Sequence, residues 1–410
     1  MTDRRRLAME FRPLPPIPRG MAALRFDKLG AIIAFLAACG VLAAPFATFR
    51  ANRIVAGEAR FVVAALPPWA AALLLATVVV AALIALLRSS VLVRLAASVA
   101  ALVVLALVIG IAGRYLMPAG NSYARVSPAS GFWLLVFAFT LLAADCFTRL
   151  RLSPPMRIGA LGIAALAIAL AIASGTWDNL SIMKEYASRA DTFWLLGAQH
   201  LTLAFGSLAT AAVVGIPLGI ACHRSATLRG PVLSILNIIQ TIPSIALFGI
   251  LIAPLGWIAV NIPGAAAVGV SGIGMPPAFV ALFGYSLLPV VANTVLGLEG
   301  VPAAANDAAR GMGMTDRQRL IAVEFPLAFP VILTGIRIVL VQNIGLATVA
   351  ALIGGGGFGV FVFQGIGQMA MDLVMLGALP TVALAFAAAI VLDAIVEISA
   401  RGSAQGPAAA

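Results

Sequence analysis

Asp307-Ala308-Ala309, Gly313 and Val323-Glu324-Phe325-Pro326 are spaced as D-A-A-x3-G-x9-V-x-F-P inside the charge-mixed stretch 299–330, EGVPAAANDAARGMGMTDRQRLIAVEFPLAFP. These residues hold no nucleophile beside a base and no ligand set for a metal. Their chemistry is that of a docking surface, with charges of both signs among small and apolar side chains. Pro302 at a first helical position, followed by good helix formers through Ala309, predicts a short helix whose N-terminal end suits negative charge. Gly311 and Gly313 supply the backbone freedom to end it, and Thr315 or Asp316 caps a second helix through Arg317, Arg319 and Leu320. The prediction is a helix-turn-helix elbow outside the membrane that exposes Ala308, Ala309, Met312, Met314 and Leu320.

Other candidate chemistries are weaker. The run Gly354–Gly357 with Gly359 looks like a phosphate loop but lacks the following Lys-Ser or Lys-Thr, so it reads as a tight re-entrant turn or a flexible linker. No Walker sequence, H-E-x-x-H or G-x-S-x-G is present, and no paired intramembrane aspartates appear. Cys39, Cys146 and Cys222 fall within or at the ends of apolar runs, which supports neither a disulfide framework nor a metal cluster.

The elements that must position the elbow are membrane helices. The chain has 410 residues, 62% hydrophobic and 10% charged, with mean hydropathy +1.09. Too few polar residues exist to cover a soluble globule. Ten apolar runs long enough to cross a bilayer fall at about 29–49, 69–87, 95–112, 132–147, 158–174, 201–222, 232–255, 276–296, 330–353 and 374–396. The first is too long, and its preceding basic segment too extended, for a cleaved signal peptide. Most of the 26 Lys and Arg residues fall on one side of these runs. The other side holds Arg50, Arg53, Arg60, Arg114, Arg125, Lys184 and Arg189, and the positive-inside rule therefore places both termini and the elbow in the cytoplasm. The basic tail with Arg4, Arg5, Arg6, Arg12, Arg19, Arg25 and Lys28 suits anionic lipid headgroups, and the net charge of +11 requires no nucleic acid.

The two halves differ in texture. The first five runs are plain Ala, Leu and Val segments, whereas Gly206, Gly215, Pro217, Gly219, Pro243, Gly249, Pro254, Pro289 and Gly335 are expected to interrupt the later ones, so a translocation path belongs there. Asp393 and Glu397 fall near the inner end of the last run, and antiparallel packing can bring Arg337 level with Asp393, as an ion pair or a substrate contact. Asp145 reaches the inner interface, and His200 and His223 are expected in headgroup zones. The absence of a buried carboxylate relay and of two matching halves speaks against a self-sufficient ion-coupled carrier.

At the elbow the chain resembles the permease subunits of type I ABC importers, whose loop is written E-A-A-x3-G-x9-I-x-L-P. The departures here are Asp307 for Glu, Val323 for Ile and Phe325 for Leu. Gln240-Thr241-Ile242-Pro243-Ser244, Ala308-Ala309-Arg310-Gly311-Met312-Gly313-Met314 and Leu352-Ile353-Gly354-Gly355-Gly356-Gly357-Phe358-Gly359 are similar to the branch that takes up glycine betaine, choline and related osmoprotectants, one subgroup of which has an extended N-terminal membrane region. The resemblance implies an all-α polytopic membrane protein of about ten spans, the last five forming the permease core. It divides the chain into a basic tail (1–28), a five-helix region (29–175), a linker (176–199), the core (200–397, with the coupling loop at 299–326) and a C-terminal tail (398–410). By the same resemblance Asp307, Ala308, Ala309, Gly313, Val323 and Pro326 couple to an ATPase. It further implies two cytoplasmic ATPase subunits that use the ATP, a second permease copy or paralogue, a periplasmic binding protein, and no cofactor bound by this chain.

Gln240, Ser244, Tyr285, Asn293, Gln342 and Asn343 are available to line a pore or to hydrogen-bond between helices. Quaternary ammonium groups are recognised by aromatic cages. Beyond His200 there are only Trp257, Tyr285 and scattered Phe, so a cage is expected in the binding protein. The other readings are an importer of amino acids or sulfonates on the same core, or a secondary transporter.

Overall fold

The computed structural model describes residues 27–404 except 54, 119 and 122. The basic tail from Arg4 to Arg25 and the last residues of the C-terminal tail lie outside the described residues. The chain forms α1 Lys28–Leu42, α2 Pro68–Leu86, α3 Val91–Tyr115, α4 Ser130–Leu150, α5 Pro154–Ala173 and α6 Ser181–Ala187. Next come α7 Ala190–Arg224, α8 Ala226–Thr241, α9 Ser244–Asn261, α10 Met275–Glu299 and α11 Ala303–Gly311. The last are α12 Asp316–Ile353, α13 Gly359–Gly367 and α14 Met371–Ala404. Among the described residues nine helices are long and apolar enough to cross a membrane, and α1, of 15 residues, is shorter.

The expected first run ends early. Pro45 cannot continue the helix, and Ala47–Arg50 becomes β1, the middle strand of a three-stranded antiparallel sheet with β2 (Glu58–Arg60) and β3 (Arg125–Pro128). Register pairs Phe49 with Val126 on one side and with Glu58 on the other. The expected seventh run, 232–255, also divides: Pro243 has no N–H to donate and holds Ile242 extended, so α8 and α9 are separate helices meeting at that kink. The other breakers do not interrupt their helices. Gly215 and Gly219 instead face Val290 and Thr294, and a Cβ at Gly219 would stand 2.6 Å from Thr294 Cβ. Their role is to let α7 approach α10 closely.

Two groups of helices result. α1, α2, α3 and α4 pack in succession around Ile33, Leu74, Leu105, Leu135 and Phe139, with Asp27, Arg94 and Arg149 joined by ion pairs at the elbow end. Asp145, at the same end, pairs with Arg149 at 2.8 Å. In the second group α10 is central, enclosed by α7, α8, α9 and α12, while α14 packs on α12 and α13. α5 lies against α14 with Pro154 its only buried residue.

α14 is held at both ends, at the elbow end by α5 and α12 and at the other by β3 and α6. At the elbow end Arg157 of α5 pairs with Asp393 at 2.7 Å and with Glu397, and Arg337 also reaches Asp393, as the ion-pair reading of Arg337 anticipates. At the opposite end Asp372 of α14 accepts hydrogen bonds from Ser127 of β3 and Ser181 of α6, both at 2.6 Å.

Candidate functional site

α11 is short because its two ends are fixed. Pro302 stands at its N-cap with extended ψ, and its carbonyl accepts from the Ala305 N–H at 3.0 Å. At the other end Met314 N–H donates to Ala309 O (3.1 Å) and Gly313 N–H to Arg310 O (2.9 Å), with Gly313 at φ +79°. That pair of bonds is a Schellman closure, which requires a left-handed residue at Gly313. No atom lies within 4 Å of a Cβ built there, so the constraint on Gly313 is conformational, not steric.

Thr315 then caps α12 through a reciprocal box: its Oγ1 accepts from Gln318 N–H at 3.3 Å, and its own N–H donates to Gln318 Oε1 at 2.9 Å. A π turn over Leu320–Glu324 follows, in which Phe325 N–H donates to Leu320 O just ahead of Pro326. The elbow matches its expected course, with one correction in what it exposes. Asp307 (71% side-chain exposure), Ala308 and Met312 (70%) face outward, but Ala309 is buried, and Met314 and Leu320 are half-buried. α11 folds back onto the π turn and covers Ala309. Val323 is half-buried at the turn, and Pro326 is exposed at the start of the regular helix.

A brace behind the elbow has no counterpart in the sequence reading. Glu324, the unspecified position of V-x-F-P, is buried and receives Arg319 Nε at 2.8 Å and Arg224 from the end of α7 at 3.8 Å. Arg224 also donates to Asp316 O at 3.2 Å, and Arg229 of α8 pairs with Glu299 at the end of α10. Arg224 therefore joins α7 to the elbow by charge, and Arg229 joins α8 to the end of α10 from which the elbow departs. A buried carboxylate between two guanidinium groups is costly to disturb on one side alone.

The polar residues read as pore-lining occupy varied places. Asn343 is fully buried and donates through Nδ2 to Ser207 Oγ (2.9 Å) and Ser286 Oγ (2.8 Å), joining α12, α7 and α10. Tyr285 is buried and its hydroxyl donates to Ile242 O, while Gln240 Nε2 donates to Tyr285 O at 2.9 Å, so this pair straps the α8–α9 kink to α10. Asn293 donates to Pro289 O at 2.8 Å and fills the space beside Gly335. Ser244 and Gln342 are half-buried.

At the opposite end the glycine run makes the tight turn. Gly354, Gly356 and Gly357 have φ near +78°, and a Cβ at Gly359 would stand 1.8 Å from Thr348 O. Gln199 Oε1 accepts from Gly357 N–H and His200 Nδ1 from Phe358 N–H, each at 3.4 Å. His200 is wholly buried against the Phe358 ring, because the hairpin folds over it.

A set of membrane-length helices carrying an exposed, braced elbow defines a membrane transport subunit. Residues 212–405 match the model of the binding-protein-dependent transport system inner membrane component family, and residues 27–183 match the N-terminal domain of the ABC transporter permease YehY. The osmoprotectant import permease protein OsmW of Salmonella typhimurium is 43% identical over 195 residues, which are 48% of this chain and 84% of that protein. The osmoprotectant import permease protein OsmY of the same organism is 40% identical over 219 residues (53% and 85%), and the choline transport system permease protein OpuBB of Bacillus subtilis 36% over 203 (50% and 84%). A solved inward-facing structure of the MetNI methionine ABC transporter covers 51% of this chain and 95% of its own, at 24% identity and TM-score 0.44. The chain belongs to the binding-protein-dependent transport system inner membrane component family and is a multi-pass permease subunit of an ABC importer.

Proposed function

We propose that this permease carries a small osmoprotectant such as glycine betaine, choline or carnitine across the bacterial inner membrane, with both termini and the elbow in the cytoplasm. Two copies of a separate ATPase subunit receive the elbow and use the ATP, a second permease completes the path, and a periplasmic binding protein delivers the solute. Residues 29–175 are an accessory membrane region, and 176–199 join it on the far side to the core at 200–397, α6 and the first turns of α7 lying within that join. The observation that carries this reading is the elbow itself, whose outward Asp307, Ala308, Arg310 and Met312 stand on a Schellman-closed helix braced through Glu324. A braced elbow passes a push on its outer face to α7, α10 and α12 instead of absorbing it, which is the rigid-element motion that alternating access needs.

The substrate class rests on the relatives named for osmoprotectant, choline and carnitine transport. Under this assignment Asp307, Ala308, Gly313, Val323 and Pro326 form or shape the coupling surface, with Ala309 as its buried footing. Gln240, Ser244, Asn293 and Gln342 flank the path, and Tyr285 and Asn343 hold the helices around it. The chain binds no cofactor of its own.

The test is uptake of radiolabelled glycine betaine into proteoliposomes holding this permease, its ATPase and its binding protein. ATP-dependent accumulation, competed by choline and abolished without the ATPase, is expected. Accumulation driven by an ion gradient without ATP, or uptake of methionine or taurine in preference to betaine, overturns the assignment.

A further inference from the structure

At the end opposite the elbow the loops after β1 and before β3 enclose an open cavity of about 560 Å³, lined by Ala51, Asn52, Arg53, Asn121, Tyr123 and Arg125. The charge around it is unbalanced. Glu185, buried on α6, is shared by Arg53 at 3.9 Å, Arg125 at 3.7 Å and Arg189 at 3.4 Å, each at ion-pair distance. The Arg125 nitrogen nearest Glu185, Nη1, is buried and stands beyond hydrogen-bond distance of that carboxylate. Lys184 adds a further cation at Ala124 O (3.0 Å), and burial, together with the charge of Arg125, lowers its pKa from the ordinary lysine value. Of the nearby carboxylates, Glu58 pairs with Arg60 at 2.5 Å, and Asp372, itself a negative charge, is turned to Ser127 and Ser181.

The walls are held open. Asn121 spans them, donating to Ala51 O at 3.2 Å and accepting from Tyr123 N–H at 3.0 Å, while Asn52 accepts from Val55 N–H at 3.0 Å. These amides shape the loops and leave the guanidinium groups as the recognition elements. Arg53 and Arg125 both line the cavity, and a guanidinium fork turned into it matches the planar, multi-acceptor geometry of an oxyanion.

We propose that this cavity is a binding site for an oxyanion group, a carboxylate or a phosphate, held between Arg53 and Arg125. The group reaches the site on a free small anion or on the headgroup of an anionic lipid. The site is separate from the elbow and from the helices around Asn343. It also faces the permease core, because Arg53 donates to Gln368 Oε1 at 2.9 Å, just beyond α13. An occupant that draws Arg53 into the cavity weakens that contact, so occupancy is registered where the N-terminal region meets the core.

The test uses the full chain in phosphatidylcholine nanodiscs at fixed ionic strength, titrated calorimetrically with inorganic phosphate and with succinate. A second preparation contains phosphatidylglycerol, and its retained lipid is counted by mass spectrometry. Expected is saturable binding that weakens about tenfold or more in Arg53→Gln and in Arg125→Gln, as loss of a charged fork predicts. Arg60→Gln, on β2 outside the lining, is expected to bind as the parent does. Arg53→Lys, which keeps charge but not the fork, guards against a folding artefact and is expected to bind more weakly than the parent at an unchanged thermal midpoint. Arginine-dependent binding of phosphate or succinate identifies a free anion, and arginine-dependent enrichment of phosphatidylglycerol identifies the lipid; both support the site. Binding undiminished in Arg53→Gln and Arg125→Gln, or no saturable binding and no lipid enrichment in either preparation, overturns it.

Discussion

Gly313 and Glu324 divide the work of the elbow. Gly313 sets the direction of the chain at a left-handed φ, and Glu324 fixes the finished turn to α7. Replacing Gly313 by Val forces a β-branched residue into that region, and pairing it with Asp307→Arg reverses the charge on the outer face. The double variant is expected to insert normally and to lose most ATP-dependent uptake together with ATPase association. Normal uptake with normal association would remove the elbow from the coupling path. Asn343→Leu is expected to lower stability by about 1–2 kcal/mol, since two interhelical hydrogen bonds are lost and each is modest within a bilayer. Reversible unfolding in mixed micelles measures it, and an unchanged midpoint would mean that the hydroxyls of Ser207 and Ser286 lose nothing without it. Local signals made much of the elbow readable in the sequence, from Pro302 through Gly313 to Thr315. The burial of Ala309 and the pairing of Glu324 with Arg224, some hundred residues away, were not readable, because both depend on how separate helices meet.

Among the elements, α1 to α4 were legible as apolar runs, but the helix-to-strand change at Pro45 was not. β1 pairs locally with β2 but reaches β3 only across α2 and α3, which lie between Phe49 and Val126, and these short strands carry no periodic pattern of their own. The kink at Pro243 was visible as a proline, yet only the Tyr285 and Gln240 strap explains why it holds two helices in place. A pH prediction belongs to the start of α1. The carboxyl of Asp27, which caps α1, is lowered to about 2 from the usual 3.8, first by the hydrogen bond from Arg94 and then by the Gly30 N–H. A depressed carboxyl pKa contributes stability that is present above the unfolded value and is lost as pH falls through the folded one. The thermal midpoint of the detergent-solubilised chain is therefore expected to fall more between pH 4 and pH 2 than that of Asp27→Asn, which starts lower. Parallel curves for the two would show that the Arg94 contact contributes nothing.

For the whole molecule, orientation is the claim on which the importer mechanism depends. Single cysteines at Asp316 and Ser188, in a background lacking Cys39, Cys146 and Cys222, are expected to differ in intact cells. Membrane-impermeant maleimide labels position 188 and leaves 316 untouched, whereas the reverse pattern would put the elbow on the wrong side for an ATPase. Most of the runs long enough to cross could be read from composition, because lipid demands length and apolarity from every span. The runs at 29–49 and 232–255 could not, since Pro45 and Pro243 cut them short. Which spans touch could not, since helices in lipid are sorted by small-residue contacts and a few polar bonds that leave little periodic trace.

α14 is held at one end by Arg157 and Arg337 and at the other by Ser127 and Ser181. The two ends are held by different bodies: α5 and α12 at the elbow end, β3 and α6 at the other. The N-terminal bundle is therefore hinged to the last helix at one end only. A transport cycle that tilts α14 about that hinge drags on the bundle there, so the viscosity and packing of the bilayer enter the turnover rate through a part of the protein that the solute never meets.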